Sequence, residues 1–460
     1  MIALPASIGI ALDRSVRRYR EDTVLVGGAP PHALRLTTTG RAAVDALLAG
    51  RDPGDAGRRL ARRLVEAGLA HPRPRPIAAS PSITVVVPTR DRPHELARCL
   101  AALGGGAPVV VVDDGSRDHG AVAEACRRPG ARLIRRDRSG GPAAARNTAL
   151  AEISTELVAF LDSDCVPMAG WLHPVVAHFA DPLVGAVAPR VRPAPLSGRP
   201  RILDRYLATR SPLDMGDREA RVIPGRRVSY VPTAALVVRR SALERAFDPE
   251  LRFGEDVDLV WRLHDAGWHI RYEPGATVHH SEPRSWAALL RRRWRYGTSA
   301  GPLAQRHPNR LAPLVARPLP IAAGLLTLAR RPLAASAVVG LDAAVLARRT
   351  RRAGVPGHVA IAWASRATAL TLVGAGRTAT SLSSPFVAAA LRHRRRRPTA
   401  LALLVAAPLH EWATRRPALD PARWTLACIA DDVAYGLGVW QGSLRHRTAR
   451  PLLPTLHTPR

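Results

Sequence analysis

The chain has 460 residues, of which 47% are hydrophobic, so it has room for two or three domains and the composition of an ordinary folded protein. Its formal net charge is +31, and every basic side chain other than histidine is an arginine, because the sequence contains no lysine. The four cysteines are scattered without a Cys-x-x-Cys pair, which argues against a zinc site or a disulfide framework. The first residues lack a basic region followed by an apolar core, so we expect no secretory signal and reduced, cytosolic-side chemistry.

Positive charge is concentrated in the last third of the chain. Residues 281–460 contain 28 arginines and six acidic residues, a balance of +22. A basic, apolar segment of this kind favours contact with nucleic acid or with an anionic membrane surface.

Residues 1–80 predict a small domain of short strands followed by two helices. Thr39 is expected to cap the first helix, which Gly50 ends, and Asp55 is expected to open the second, which Gly68 ends. Strands, two helices and a further short strand are typical of a winged-helix domain.

The same segment, from residues 35–40 through residues 67–69, resembles the PqqD-like domains, which bind precursor peptides of ribosomally made natural products. The resemblance implies a peptide-recognition domain over residues 1–76, and a proline-rich linker is expected at residues 72–81. A winged helix rich in arginine also favours DNA binding, but the candidate recognition helix has no asparagine or glutamine to read bases. The arginines of that helix are Arg58, Arg59, Arg62 and Arg63.

Residues 82–134 predict three buried strands that alternate with two helices. The valine-rich runs of the first two strands are typical of parallel strands covered on both faces, so we expect a right-handed parallel α/β sheet. Such sheets bind ligands beyond the carboxyl ends of their strands. Polar residues lie at those ends, with Thr89 after the first strand and Asp113 and Asp114 after the second.

Asp162 and Asp164 follow another buried strand, at residues 157–161. Alternation along an extended chain points both carboxylates the same way. Two hard oxygen ligands on one side of a strand end suit Mg²⁺ or Mn²⁺, which would hold a diphosphate. A solvated turn is the alternative, since Asp-Ser-Asp is also favourable in turns.

Four motifs in order resemble those of the family 2 glycosyltransferases, which have the GT-A fold. This fold is a Rossmann-like domain that transfers a sugar from a nucleotide-diphosphate sugar. The motifs lie at residues 85–89, 112–116, 146–147 and 162–164, and the resemblance covers residues 82–300. It implies a UDP-sugar donor, with Mg²⁺ or Mn²⁺ on the Asp-x-Asp motif. The implied donor-binding residues are Pro88, Thr89, Arg90, Asp113, Asp114, Arg146, Asn147, Asp162 and Asp164.

The second half of this region is expected to bind the acceptor. Glu255 and Asp256 open a predicted helix, whose N-terminus stabilises their ionised forms, and a purely capping role is the alternative. In the family the Asp of this pair is the general base, which implies direct displacement with inversion and Asp256 as the base. Many relatives have a metal-binding or leaving-group histidine where this chain has His280, and a packing role is its alternative.

Residues 286–297 predict a basic amphipathic helix. Processive members of the family have Gln-x-x-Arg-Trp here, and this chain matches it with Arg293 and Trp294 but has Leu290 in place of the glutamine. The resemblance implies that Arg293 neutralises a phosphate and that Trp294 stacks on a sugar, but it does not imply processive synthesis. A solvent-exposed basic helix is the alternative.

Residues 301–460 contain apolar runs interrupted by charge, and none reaches the roughly 18 uncharged residues of a membrane-spanning helix. The run at residues 399–407 is expected to stop at Pro408. Small residues flanked by arginines favour helices that lie in, or partly enter, the cytoplasmic face of the cell membrane, with residues 392–397 on anionic lipid. Soluble helices packed on the catalytic domain are the alternative.

The whole arrangement resembles the glycosyltransferases of mycofactocin biosynthesis, which makes a redox cofactor. That resemblance implies transfer of glucose from UDP-glucose to a peptide-derived acceptor. Three alternatives remain: a transferase for a lipid or cell-envelope polysaccharide, a winged-helix protein that binds DNA or RNA, and an inactive sugar-nucleotide sensor. We expect no nucleic-acid partner, because strand-end carboxylates repel phosphate without a metal, and the intact acidic motifs argue against the sensor.

Overall fold

The computed structural model describes residues 2–28, 31–76, 81–128, 130–195 and 198–456. The chain divides into two compact units. The first unit consists of Met1–Leu196 with Arg210–Glu282, and the second of Ser197–Thr209 with Pro283–Arg460.

The first 76 residues of the first unit form a small module. Its elements are β1 (Ile8–Leu12), β2 (Arg17–Tyr19), β3 (Val24–Gly27), β4 (His32–Arg35), α1 (Thr38–Leu48), α2 (Gly54–Glu66) and β5 (Ala70–Pro74). Strands β2, β3 and β4 form an antiparallel sheet, and β1 pairs antiparallel with β5. Apolar side chains of both helices and the strands share one core, which explains the apolar spacing of this segment.

The predicted helices of this module are present, with two local differences. Thr37, and not Thr39, caps α1, because its side chain accepts a hydrogen bond from the backbone N–H of Gly40 at 3.0 Å. Strand β1 is an addition to the prediction, and it exists because β5 at the far end of the module supplies its hydrogen-bonding partner. Of the predicted linker, residues 72–74 belong to β5, and residues 77–80 lie outside the described residues.

A larger sheet dominates the rest of the first unit. The elements from residue 83 to residue 280 are β6 (Ile83–Thr89), α3 (Pro93–Leu103), β7 (Val109–Asp114), α4 (His119–Ala125), β8 (Ala131–Arg136), α5 (Gly141–Ala151), β9 (Leu157–Leu161), β10 (Cys165–Pro167), α6 (Leu172–Ala177), β11 (Val184–Pro193), α7 (Ile202–Arg210), β12 (Ala220–Val222), β13 (Ala235–Arg239), α8 (Glu255–Asp265) and β14 (His269–His280). The strand order is β10-β14-β11-β13-β9-β6-β7-β8, and β12 pairs with β14.

Strands β8, β7, β6 and β9 pair in parallel, with α3, α4 and α5 as the connecting helices between them. Strands β7 and β9 are buried along their whole length, as expected for strands covered on both faces. Because parallel strands end at the same edge of a sheet, the loops after β6, β7 and β9 meet there. Strand β13 pairs antiparallel with β9 and brings β11 and β14 into the same sheet. The predicted α/β class is confirmed.

The second unit is helical, as predicted for the C-terminal region. Besides the part of α7 before residue 210, its elements are α9 (Trp286–Thr298), α10 (Ala300–Arg306), β15 (Val315–Ala316), α11 (Pro318–Leu328), α12 (Pro332–Thr350), α13 (Gly357–Ser381), α14 (Ser384–Ala390), α15 (Arg397–Arg415), α16 (Pro421–Arg445) and β16 (Thr455–Leu456). Short 3₁₀ helices in the chain are His178–Ala180, Arg240–Ala242, Arg351–Ala353 and Arg450–Leu452.

Helix α15 continues through Pro408, the residue at which the apolar run of residues 399–407 stops in the sequence. A proline inside a helix loses one backbone hydrogen bond. Here Ala407 and Pro408 are buried, and the indole Nε1 of Trp424 donates to the carbonyl oxygen of Pro408 at 3.0 Å. Packing against α16 therefore outweighs the tendency of proline to interrupt a helix.

Helix α13 is the one helix among the described residues that is long and apolar enough to cross a membrane, judged by length and composition alone. It has 25 residues, and only 28% of its most apolar window is buried. The sequence criterion of roughly 18 uncharged residues excludes this helix, because Arg366 and Arg377 lie within α13.

Candidate active site

The carboxyl end of β9 and the amino end of α8 are joined by one buried arginine. Arg146 lies on α5 with 2% of its surface exposed. Its Nη2 donates to Oδ1 of Asp162 at 2.7 Å, and its Nη1 donates to Oε1 of Glu255 at 3.0 Å. Burial opposes the charge of Arg146, but the two carboxylates outweigh it and raise the pKa of the guanidinium. The two acidic motifs of the sequence therefore belong to a single ionic cluster.

The second aspartate of the Asp-x-Asp motif has other neighbours. Asp164 is paired with the guanidinium of Arg92, and its Oδ2 lies 3.6 Å from Nε2 of His280. His280 is 4% exposed and lies opposite Cys165 in the pairing of β10 with β14. Its Nδ1 has no hydrogen-bond partner and lies 3.6 Å from Oε1 of Glu282. The structure thus brings His280 to the predicted metal ligands.

The donor set suits a cation that is shared with a phosphate. Among the described residues, no group of three or more histidine, cysteine, aspartate or glutamate side chains is arranged to hold a metal ion by itself. Mg²⁺ and Mn²⁺ are commonly bound by one or two carboxylates, with phosphate oxygens and waters as the remaining ligands. Asp162 and Asp164 fit that pattern. Burial raises the pKa of Asp162, and the charge of Arg146 acts against the rise.

The end of β6 offers an unused polar group. Thr89 is 3% exposed, and its Oγ1 has no hydrogen-bond partner, which is unusual for a buried hydroxyl. It follows Pro88 and lies beside Asp113 of the neighbouring strand. Arg90 comes next and donates from Nη1 to Oγ of Ser139 at 2.9 Å. The orphaned hydroxyl marks a position where a bound ligand could supply the missing hydrogen bond.

The two aspartates at the end of β7 form hydrogen bonds within the protein itself. Asp113 accepts from the backbone N–H of Ser116 and from Nη1 of Arg135, both at 2.9 Å. Asp114 accepts from the backbone N–H groups of Gly140 at 3.0 Å and Gly141 at 2.8 Å. Asp114 thus holds the glycine loop at the start of α5, and Asp113 holds the turn that follows β7.

Asn147 is also committed to the fold. Its Nδ2 donates to the carbonyl oxygen of Phe247 at 2.7 Å, and its Oδ1 accepts from the backbone N–H of Phe247 at 3.0 Å. The ring of Phe247 in turn lies under the guanidinium of Arg146, whose Cζ is 5.3 Å from the ring centroid. Asn147 therefore supports Arg146 through Phe247.

The acidic pair at the start of α8, Glu255 and Asp256, has raised pKa values. Gly254 precedes the helix with φ of 84°, a conformation that favours glycine. Asp256 is half-buried, and its Oδ1 accepts from the backbone N–H of Val257 at 2.8 Å. Burial and the neighbouring Glu255 raise the pKa of Asp256 to about 7, and burial also raises the pKa of Glu255. A carboxylate with a pKa near neutrality is suited to accept a proton during a reaction.

Arg293 and Trp294 lie on α9 in the second unit. Nε of Arg293 donates to Oδ1 of Asp431 at 2.5 Å, and its guanidinium lies 5.1 Å from the ring centroid of Tyr435. This geometry describes a helix-to-helix contact within that unit.

Arg92 and Glu282 are neighbours of Asp164 and His280 that the sequence analysis did not single out. A signal was available for both, since Arg92 lies in the same strand-end loop as Thr89 and Glu282 lies two residues after His280. Their side-chain partners, however, depend on the tertiary fold.

Comparisons with known proteins bear on this site and on the whole chain. The family model of Glycosyl transferase family 2 matches residues 84–247. The chain is 39% identical over 480 residues to the pre-mycofactocin glycosyltransferase of Mycobacterium tuberculosis, in strains CDC 1551 and H37Rv, and the alignment covers 99% of both proteins. It is 28% identical over 230 residues to the glycosyltransferase AglE of Haloferax volcanii, which covers 47% of this chain and 72% of AglE.

Among solved structures, the mannosyltransferase PcManGT from Pyrobaculum calidifontis, in complex with GDP-Man and Mn²⁺, has 22% identity and a TM-score of 0.39. That match covers 74% of this chain and 90% of PcManGT.

The similarity to the mycobacterial enzyme extends over the whole chain, and the family 2 match includes the Asp-x-Asp motif. The resemblance stated from the sequence motifs and the predicted GT-A fold class are therefore confirmed. The chain belongs to the pre-mycofactocin glycosyltransferases, with a catalytic domain of glycosyltransferase family 2, and it is a glycosyltransferase of mycofactocin biosynthesis.

Proposed function

We propose that this enzyme transfers glucose from UDP-glucose to a peptide-derived acceptor, with inversion at the anomeric carbon and with Mg²⁺ or Mn²⁺. The observation that carries the proposal is the bridge from Arg146 to Asp162 and Glu255. It fixes the acids that would face the donor diphosphate next to the helix that presents Asp256. This arrangement supports a direct displacement, which requires the donor and the base to lie close together.

Each part of the cluster has a role in this proposal. Asp162 and Asp164, with His280 beside them, would hold the cation, whose charge stabilises the departing diphosphate. Thr89 offers its free hydroxyl to the nucleotide, with Arg90 at the pocket edge. Arg146 keeps the carboxylates of both motifs apart and neutralised.

The reaction needs no covalent enzyme intermediate. The acceptor hydroxyl oxygen forms a bond to the anomeric carbon while the bond from that carbon to the diphosphate oxygen breaks, so the configuration inverts. Asp256 accepts the hydroxyl proton, and UDP is the second product. Proton removal by a positioned carboxylate contributes about 10²–10⁴-fold to such a step.

The N-terminal module is proposed to bind the peptide part of the acceptor. It is fixed to the catalytic sheet by a buried, bidentate ion pair, in which Arg62 donates to Asp181 at 2.6 and 2.9 Å. The two side chains are 1% and 7% exposed, so the pair is shielded from solvent. A module attached in this way can present an acceptor to the sheet in one orientation.

The enzyme is also proposed to work at the cytoplasmic face of the cell membrane. Support comes from the second unit, where α13 leaves most of its apolar window uncovered. The neighbouring arginines 392 and 394–397 are all exposed, which suits anionic headgroups.

The deciding experiment is a panel of UDP-sugars with Mn²⁺, assayed for hydrolysis and transfer. Wild type is compared with Asp164→Ala and Asp256→Asn, and with Glu124→Gln as a control that removes an exposed acid from α4. We expect metal-dependent turnover of UDP-glucose that both site variants lose and the control keeps. Absence of binding or turnover of every UDP-sugar by wild type would refute the donor assignment.

A further inference from the structure

We propose that Arg92 is a displaceable counter-ion, which occupies the Asp-x-Asp motif until the cation and the donor diphosphate enter. The inference rests on the metal-dependent function proposed above. Each aspartate of the motif has its own arginine, since Asp162 is paired with Arg146 and Asp164 with Arg92. The protein thus supplies two positive charges at the position where a divalent cation would bind.

The two arginines differ in how firmly they are held. Arg146 is buried and bonded to two carboxylates, so moving it would leave both of them unpaired, and the Glu255 side chain is only 11% exposed. The side chain of Arg92 is 52% exposed. Within the part of the chain that the structure describes, Asp164 is the one carboxylate that Arg92 pairs with. The Asp164 side chain is 14% exposed, so the pair is open to solvent only on the Arg92 side, and Arg92 is the one that a cation would displace.

The loop that carries Arg92 is anchored independently of its side chain. Asp91 has φ of 54°, a strained value for a non-glycine residue. The backbone N–H of Asp91 donates to Oγ of Ser116 at 2.9 Å, and its Oδ1 accepts from the backbone N–H of Arg117 at 2.9 Å. The long side chain of Arg92 can therefore leave Asp164 by rotation about its own bonds, with the backbone in place.

Two opposite effects follow from this arrangement. In the free enzyme, Arg92 competes with a cation for Asp164, so removing Arg92 tightens metal binding. In the loaded enzyme, the displaced guanidinium lies beside the diphosphate and can donate charge-assisted hydrogen bonds to it. Removing Arg92 therefore weakens nucleotide binding. A merely structural arginine would not move the two affinities in opposite directions.

The test measures Mn²⁺ binding to the full chain without nucleotide, by the electron paramagnetic resonance signal of free Mn²⁺. We expect Arg92→Gln to bind Mn²⁺ about fivefold more tightly than wild type, the size expected for loss of one ion pair with a solvent-exposed arginine. Arg92→Lys keeps a positively charged side chain, so its affinity for Mn²⁺ should lie closer to that of wild type. Arg98→Gln removes one charge from α3, the helix that follows Arg92. The Arg98 guanidinium contacts Ser281, and this variant should stay within about twofold of wild type.

A second titration measures UDP binding at saturating Mn²⁺, where Arg92→Gln should be about fivefold weaker than wild type and Arg98→Gln unchanged. If wild type binds no more Mn²⁺ than Asp164→Asn, the metal-dependent function fails, and the counter-ion role fails with it. If wild type binds Mn²⁺ but Arg92→Gln binds it no more tightly than Arg98→Gln, the counter-ion role alone is overturned.

Discussion

Arg146 donates to two carboxylates that lie 16 and 109 residues away along the chain. The sequence motif predicts a contact between this arginine and the nucleotide. In the structure its guanidinium lies between Asp162 and Glu255, over the ring of Phe247. Its position makes it the residue that links the end of β9 to the start of α8. A motif identifies such an arginine, but only the fold shows which partners it has.

The pKa of Asp256 gives a prediction for the pH dependence of activity. A general base must be ionised, and burial and Glu255 raise the pKa of Asp256 to about 7. We expect kcat/KM to rise with pH up to about 7 and to level off above it. Steady-state kinetics of UDP-glucose transfer between pH 5.5 and 8.5 test this. A flat profile across this range, as an ordinary aspartate with a pKa of about 4 would give, would contradict the role of Asp256.

The raised pKa of Asp256 also predicts how stability depends on pH: activity should rise with pH, whereas the stability of the fold should fall. A carboxyl whose folded pKa is raised stabilises the fold while it is protonated, and this contribution is lost as the pH rises from about 4 through about 7. Asp256→Asn has no such loss. Its melting temperature relative to wild type should therefore be higher at pH 8 than at pH 5, measured in the presence of a chelator. An unchanged difference between the two pH values would argue against the raised pKa.

Elements of the fold differ in how far the sequence predicts them. The sequence predicts strands β6 and β7, because short, continuous runs of valine are typical of buried parallel strands. Strand β1 is not, because it depends on β5 for its hydrogen bonds. The passage of α15 through Pro408 depends on Trp424 in another helix. What the sequence misses are the features that need a distant partner.

Helices α9 and α16 pack through glycines, and this contact gives a prediction at the scale of elements. A Cβ added at Gly438 would overlap the carbonyl oxygen of Trp294. Gly438→Ala should therefore destabilise the second unit by about 1–3 kcal/mol, as overpacking of a close contact does. Thermal unfolding followed by circular dichroism measures the change.

Gly340 is the matched control for this prediction. It lies in α12, is exposed, and has no atom within 4 Å of an added Cβ. Alanine has the higher helix propensity, so Gly340→Ala should stabilise by roughly 0.5–1 kcal/mol. Equal melting temperatures for the two variants would show that the helices do not meet through Gly438.

At the scale of the whole molecule, the acidic residues of the second unit are largely hidden. Four of them are buried, at 2–8% exposure: Asp342, Glu411, Asp431 and Asp432. Several large apolar side chains of the same unit are exposed instead: Leu325, Leu333, Leu341, Ile361, Leu370, Phe386, Leu426 and Leu437. A surface that hides its acids and exposes leucines and arginines is suited to an anionic bilayer.

This charge distribution predicts binding to lipid vesicles. The full chain should sediment with vesicles that contain phosphatidylglycerol and much less with pure phosphatidylcholine vesicles. Replacing arginines 394–397 by glutamine should weaken the anionic binding at least about tenfold, since each basic residue near the surface contributes about 1 kcal/mol. The matched control replaces four exposed arginines of the first unit, Arg14, Arg59, Arg63 and Arg245, and should bind as wild type does. Equal losses in the two quadruple variants would attribute binding to net charge alone, and the second unit would then have no specific lipid-facing role.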